Sequence, residues 1–79
     1  MDAVRKQTRQ WLIDASRQDF EDVIYKAKIT PRQQTIIEMR ILKNIEIFKI
    51  AQILNLSERA IQVDIKKAYD LISNILTVN

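Results

Sequence analysis

The chain of 79 residues has no cysteine, no histidine and no glycine, and proline occurs once, at Pro31. Without cysteine there is no disulfide and no thiolate ligand, a composition that fits a reducing compartment. Without histidine the commonest general base and the commonest zinc ligand are missing. Without glycine, phosphate-cradling loops, dinucleotide fingerprints and nucleophile elbows cannot be built in their usual form, because each needs positive φ or close backbone approach. No carboxylate pair stands out for acid–base work. The chain is therefore expected not to be an enzyme and to hold no cofactor or metal. No apolar run approaches the ~18 residues of a membrane span. The N-terminal stretch MDAVRKQTRQWLIDAS carries charges but no uninterrupted apolar core, so no secretory leader is expected. These absences point to a soluble cytoplasmic protein of one domain.

The charge is mildly basic, +3 overall, and it is spread. Residues 1–28 carry six basic and five acidic side chains, residues 29–45 three and one, and residues 46–79 four of each. Contact with a nucleic acid then depends on where individual side chains point, not on a strong overall field.

With few breakers and apolar residues three and four apart, the pattern predicts an all-α fold. A first helix is expected over about Ala3 to Ser16, with Val4, Gln7, Trp11 and Ala15 on one side and Leu12 beside Trp11. A second is expected from Asp19, as N-cap, to Ala27, with the stripe Phe20, Val23, Ile24 and Ala27. The start TPRQ places Thr30 as N-cap, Pro31 at the first helical position and Gln33 where a capping box wants Glu or Gln. The wide apolar face that follows, Ile36, Ile37, Met39, Ile41 and Leu42, predicts a central helix covered on two sides and ending near Lys43-Asn44. A fourth helix is expected over Glu46 to Leu54, and a fifth from the cap Ser57 to about Thr77, with Ile61, Ile65, Ala68, Ile72 and Ile75 on one face.

The run KIAQILNLSERAIQVDIKKA stops one helix and starts another within three residues, Asn55 to Ser57. Helices joined so tightly cannot lie side by side. A sharp stop wants a residue in the left-handed region, where asparagine is the best substitute for glycine, and Asn44 and Asn55 both stand at helix ends. The requirements of a helix-turn-helix are met in register: Ile50 and Leu54 inward, Ala51 small at the close crossing, Leu56 under the turn, Ile61 and Ile65 holding the second helix down.

The stretch ITPRQQTIIEMRILKNIEIFKIAQILNLSERAIQVDIKKAYDLI resembles region 4 of bacterial sigma factors, the helix-turn-helix that recognises the promoter −35 element. It is most similar to the extracytoplasmic-function type, and beyond that to the LuxR/NarL output domains. The PRQ start, Met39-Arg40, Ile50-Ala51 and Ser57 opening the recognition helix share one register, and the spacing from Ile29 to Ala51 follows the sigma pattern without a gap. The likeness covers residues 29–72, with residues 1–28 as an N-terminal helical extension and residues 73–79 prolonging the recognition helix. The departures are Asn55 and Asn44 where the family has glycine, Glu46 where a serine often caps the fourth helix, and Asp64 where relatives often carry a basic side chain or histidine. Within 79 residues there is no space for the sigma region that melts and reads the −10 element. The resemblance implies a small five-helix domain acting as a stand-alone region 4 on double-stranded DNA. The other reading it implies is an interaction module docking on the β flap of RNA polymerase, as a split sigma subunit or a polymerase modulator.

On the recognition helix, Arg59, Gln62 and Val63 are the candidate base contacts: arginine pairs with guanine, glutamine with adenine, and valine can touch a thymine methyl. Lys66 and Lys67 fall nearer phosphates. The same face reads equally as ordinary solvated charge. Arg32, Arg40, Lys49 and Ser57 are further candidates for the DNA backbone, with a solvated charge as the plainer role for Arg32 and a pair with Glu38 or another acid at the core rim as another for Arg40. Trp11 is either a partner anchor or the lid of a small core. Leu71, Ile72, Ile75, Leu76 and Val78 continue apolar beyond the family's usual end. They either pack on the N-terminal helix, which needs a partner, or form the seam of a homodimer.

Overall fold

The computed structural model describes residues 3–77. Among these the chain is all-helical with no strand. The elements are α1 (Ala3–Asp14), α2 (Arg17–Lys26), α3 (Pro31–Ile37) continuing as a π-helical stretch (Glu38–Leu42), α4 (Ile47–Leu54) and α5 (Glu58–Thr77). Val78 lies outside the described residues.

Local chemistry explains most of the boundaries. The Thr30 hydroxyl accepts from the Gln33 backbone N–H at 3.2 Å, and the Gln33 side chain accepts from the Thr30 N–H at 3.1 Å, closing the expected capping box. The Ser57 hydroxyl accepts from the Ala60 N–H at 3.0 Å, so Ser57 does cap α5. Asn44 and Asn55 both take positive φ, 54° and 56°, as their positions after helices require. Leu56 donates its N–H to the Ala51 carbonyl at 2.9 Å, which closes the end of α4.

Three details differ from the sequence reading. The cap of α2 is Ser16, whose hydroxyl accepts from the Asp19 N–H at 3.1 Å, so the helix begins at Arg17 and Asp19 sits in its first turn. On α1 the buried residues are Thr8 and Leu12, while Val4 and Gln7 are exposed, so the inward stripe is shifted round the helix. Thr8 is tolerated there because its hydroxyl donates to the Val4 carbonyl at 2.9 Å. The end of the central helix widens, with the Lys43 N–H bonding the Glu38 carbonyl five residues back at 3.1 Å.

The central helix is covered on two sides, as its wide apolar face requires. Ile36 and Met39 join Ile50, Ala51 and Ile61 in one cluster. Ile37 and Ile41 join Leu12, Phe20, Val23, Ile24, Ala27, Ala68, Tyr69 and Ile72 in the other. Ile65 packs against both. Leu12 is fully buried, which on the scale of ~1.5–3 kcal/mol per buried aliphatic side chain makes α1 part of the core and not a loose arm. Trp11, Ile75 and Leu76 pack at the edge of the same cluster.

Candidate nucleic-acid interface

Helix α5 is set by what lies behind it. Asn55 turns the chain with φ 56° and ψ 46°, and Leu56 packs against the α3–α4–α5 cluster beneath the turn. Ile61 and Ala68 then hold the back of α5 in the core, both fully buried. The opposite flank is open: Arg59, Gln62, Val63, Lys66 and Lys67 are all exposed. Among the described residues none of Arg59, Lys66, Lys67 and Lys49 is held in an ion pair. Residues 59, 62, 63 and 66 follow helical spacing, so they present one continuous strip of two long donors, an amide and a small apolar side chain.

Asp64 is not on that strip. It is buried at 7% exposure and its Oδ2 accepts from Arg32 Nε at 2.6 Å. The pair ties the first turn of α3 to the middle of α5. The hydrogen bond to Asp64, together with its charge, raises the Arg32 guanidinium above its ordinary value. Two consequences follow for the interface. The one acid that falls within residues 59–67 turns inward and is paired with Arg32, away from the exposed strip. Arg32, read from sequence as a backbone contact or a solvated charge, stays largely exposed while its Nε is engaged by Asp64.

Arg40 is half-buried in the π-helical stretch and donates from Nη1 to the Ile45 carbonyl at 3.4 Å. Glu38, its alternative partner from the sequence, accepts instead from Gln34 at 3.3 Å. Lys49 is exposed on α4, and Ser57 is exposed at the start of α5 with its hydroxyl engaged as a cap. Of the four described residues among the five read as a packing or dimer surface, Ile72 is fully buried and Ile75 and Leu76 are half-buried at the edge of the cluster that holds Leu12 and Phe20. They serve the packing alternative, and Leu71 alone of the four is exposed.

The sequence reading missed the contribution of α1. Arg5 Nε donates to Asp70 Oδ1 at 3.3 Å, which joins α1 to α5 one turn beyond Lys66. Tyr69 is buried beside it. Burial raises its phenol above the ordinary value, against the opposing influence of Arg9 and Arg40 nearby. The signal available in the sequence was the pair Arg5 and Arg9, four apart and hence on one side of a helix.

Among the described residues no helix is long and apolar enough to cross a membrane, and no group of three or more His, Cys, Asp or Glu side chains is placed to hold a metal ion. No family model, no curated protein and no solved structure matches the chain.

Proposed function

We propose that the protein is a DNA-binding transcriptional regulator that places α5 in the major groove, in the manner of a stand-alone sigma region 4. The observation that carries this reading is the exposed strip Arg59–Gln62–Val63–Lys66 on a helix whose back is locked into the core. From Arg59 to Lys66 the helix rises about 10 Å at ~1.5 Å per residue, close to the ~12 Å width of the major groove. Arg59 and Gln62 are near the N-terminal end, where a recognition helix meets base edges. Lys66 and Lys67 at one end and Ser57 at the other, with Lys49 on α4, are the residues assigned to phosphates.

The test is selection of bound sites from a random duplex pool, followed by variants. Arg59→Ala and Gln62→Ala should relax sequence preference, and Lys66→Ala should weaken binding at all sites and reduce its salt dependence by about one unit of slope. Unchanged binding by all three variants removes the assigned face. A palindromic site would imply two copies, a single short element the sigma-like mode.

A second reading is a module that binds RNA polymerase with little DNA affinity of its own. What favours it is α4, where Phe48 is 43% and Ile53 61% exposed. Capture of polymerase without enrichment of any duplex would select this reading.

A further inference from the structure

Between α1, α4 and α5 lies a shallow dish of about 300 Å³, lined by Ile47, Ile65 and Tyr69 as floor and by Arg5, Gln62 and Lys66 as rim. Two of its rim residues, Gln62 and Lys66, belong to the strip assigned to DNA. The third, Arg5, comes from α1 and is paired there with Asp70, whose carboxylate offsets part of its charge. One helical turn further along α1 is Arg9, and the π-helical stretch that α1 packs against brings Arg40. Both act on the buried Tyr69 hydroxyl. Two cations from two elements, Arg5 and Lys66, thus rim one apolar floor, Arg9 and Arg40 lie near the Tyr69 that forms part of it, and Asp70 is paired with Arg5.

We propose that this collar, with Arg5 and Arg9 of α1 as its new members, seats the sugar–phosphate strand that borders the groove entered by α5. The inference rests on the reading of α5 given above and extends it to the N-terminal helix. Three observations make a DNA strand the occupant. The first is charge: the rim is cationic and a phosphodiester is the complementary group. The second is shape: an apolar floor under a cationic rim suits a deoxyribose face with its phosphates at the edge. The third is position. Tyr69 and Asp70 lie about 15 Å along α5 from Arg59 at ~1.5 Å per residue, beyond a groove ~12 Å wide, which is where the backbone runs. Packing α1 along the second half of α5 therefore sets its basic flank at the rim of the groove.

The experiment measures duplex affinity against salt for the whole chain and for Arg5→Gln/Arg9→Gln, with the unfolding midpoint of each. The slope of log affinity on log salt should fall by about 2 in the double variant, since each neutralised phosphate contributes ~0.9. The charge-keeping Arg5→Lys/Arg9→Lys should restore most of it. An unchanged slope overturns the collar and leaves the α5 reading standing if Arg59→Ala still alters preference. A lowered slope with Arg59→Ala and Gln62→Ala silent keeps the collar and overturns the base-reading face. Absence of duplex binding by the unaltered chain overturns both. If the double variant melts early, Asp70→Asn replaces it. Removing the carboxylate at the rim should tighten binding severalfold, and unaltered or weaker binding overturns the proposal.

Discussion

Residues 58–67 and residues 68–77 of α5 share one apolar spacing but not one environment. In the first half Ile61 and Asp64 are buried and the flank bearing Arg59, Gln62, Val63, Lys66 and Lys67 is bare. In the second half Tyr69, Ile72 and Ser73 are all buried, because α1 lies alongside. Ser73 can be buried only because its hydroxyl donates to the Asp70 carbonyl at 3.0 Å. The same helix is a surface at one end and a core element at the other. The N-terminal helix thus decides where the exposed flank of α5 stops.

The largest effects should come from the two fully buried anchors of these halves, Ile61 and Ile72. Each to alanine is expected to cost about 2–5 kcal/mol in urea denaturation, a large share of the ~5–15 kcal/mol that holds a domain folded. A much smaller loss at Ile72 than at Ile61 would mean that α1 is weakly held and the comparison fails.

Next comes the strut within the first half. Arg32→Ala leaves the Asp64 carboxylate buried without its partner and should lower the melting midpoint. Replacing Asp64 with leucine as well should recover part of the loss, since it removes the buried carboxylate that Arg32→Ala leaves without a partner. Additive losses in that double variant would show that the two side chains do not act as a pair.

Smaller and of opposite sign are the left-handed residues. Lys28 ends α2 with φ 56° and Asn55 launches α5 with the same value. Lys28→Gly should stabilise by roughly 1 kcal/mol and Asn55→Gly by a few tenths, because asparagine already tolerates this region and lysine does not. Equal gains from guanidinium titrations would contradict that ranking.

The smallest effect is alkaline and belongs to the second half. Tyr69 keeps its proton in the folded chain at pH values where the unfolded chain, titrating near 10.0, has lost it. Its contribution to stability is therefore complete below that value and declines as pH rises through the folded value. Tyr69→Phe should flatten the fall in unfolding free energy above about pH 10 relative to the parent. An identical alkaline slope in both would show that Tyr69 is not shielded.

The parts of the fold legible in the sequence are those decided within one or two helical turns. The box Thr30–Gln33, the cap Ser57, the turns at Asn44 and Asn55 and the two-sided face of Ile36 to Ile41 depend on neighbours in the chain, and residue type signals each. The cap of α2 was ambiguous because Ser16 and Asp19 are both good caps three residues apart. Nothing in composition marks the π-helical stretch, and Lys28 carries no sign of a left-handed turn. The candidate site divides the same way. The exposed strip on α5 follows from helical spacing. The inward turn of Asp64 depends on Arg32, thirty-two residues away, and the rim residue Arg5 on Asp70, sixty-five away. No local pattern encodes such pairings.

Amide chemical shifts of labelled protein titrated with a selected duplex report whether the bare flank of α5 meets DNA. Changes are expected at residues 57–67, with a second group in α1 around Arg5 and Arg9, and little change in α2. Changes centred on α2 or on the exposed side of α4, with residues 57–67 silent, would contradict that contact.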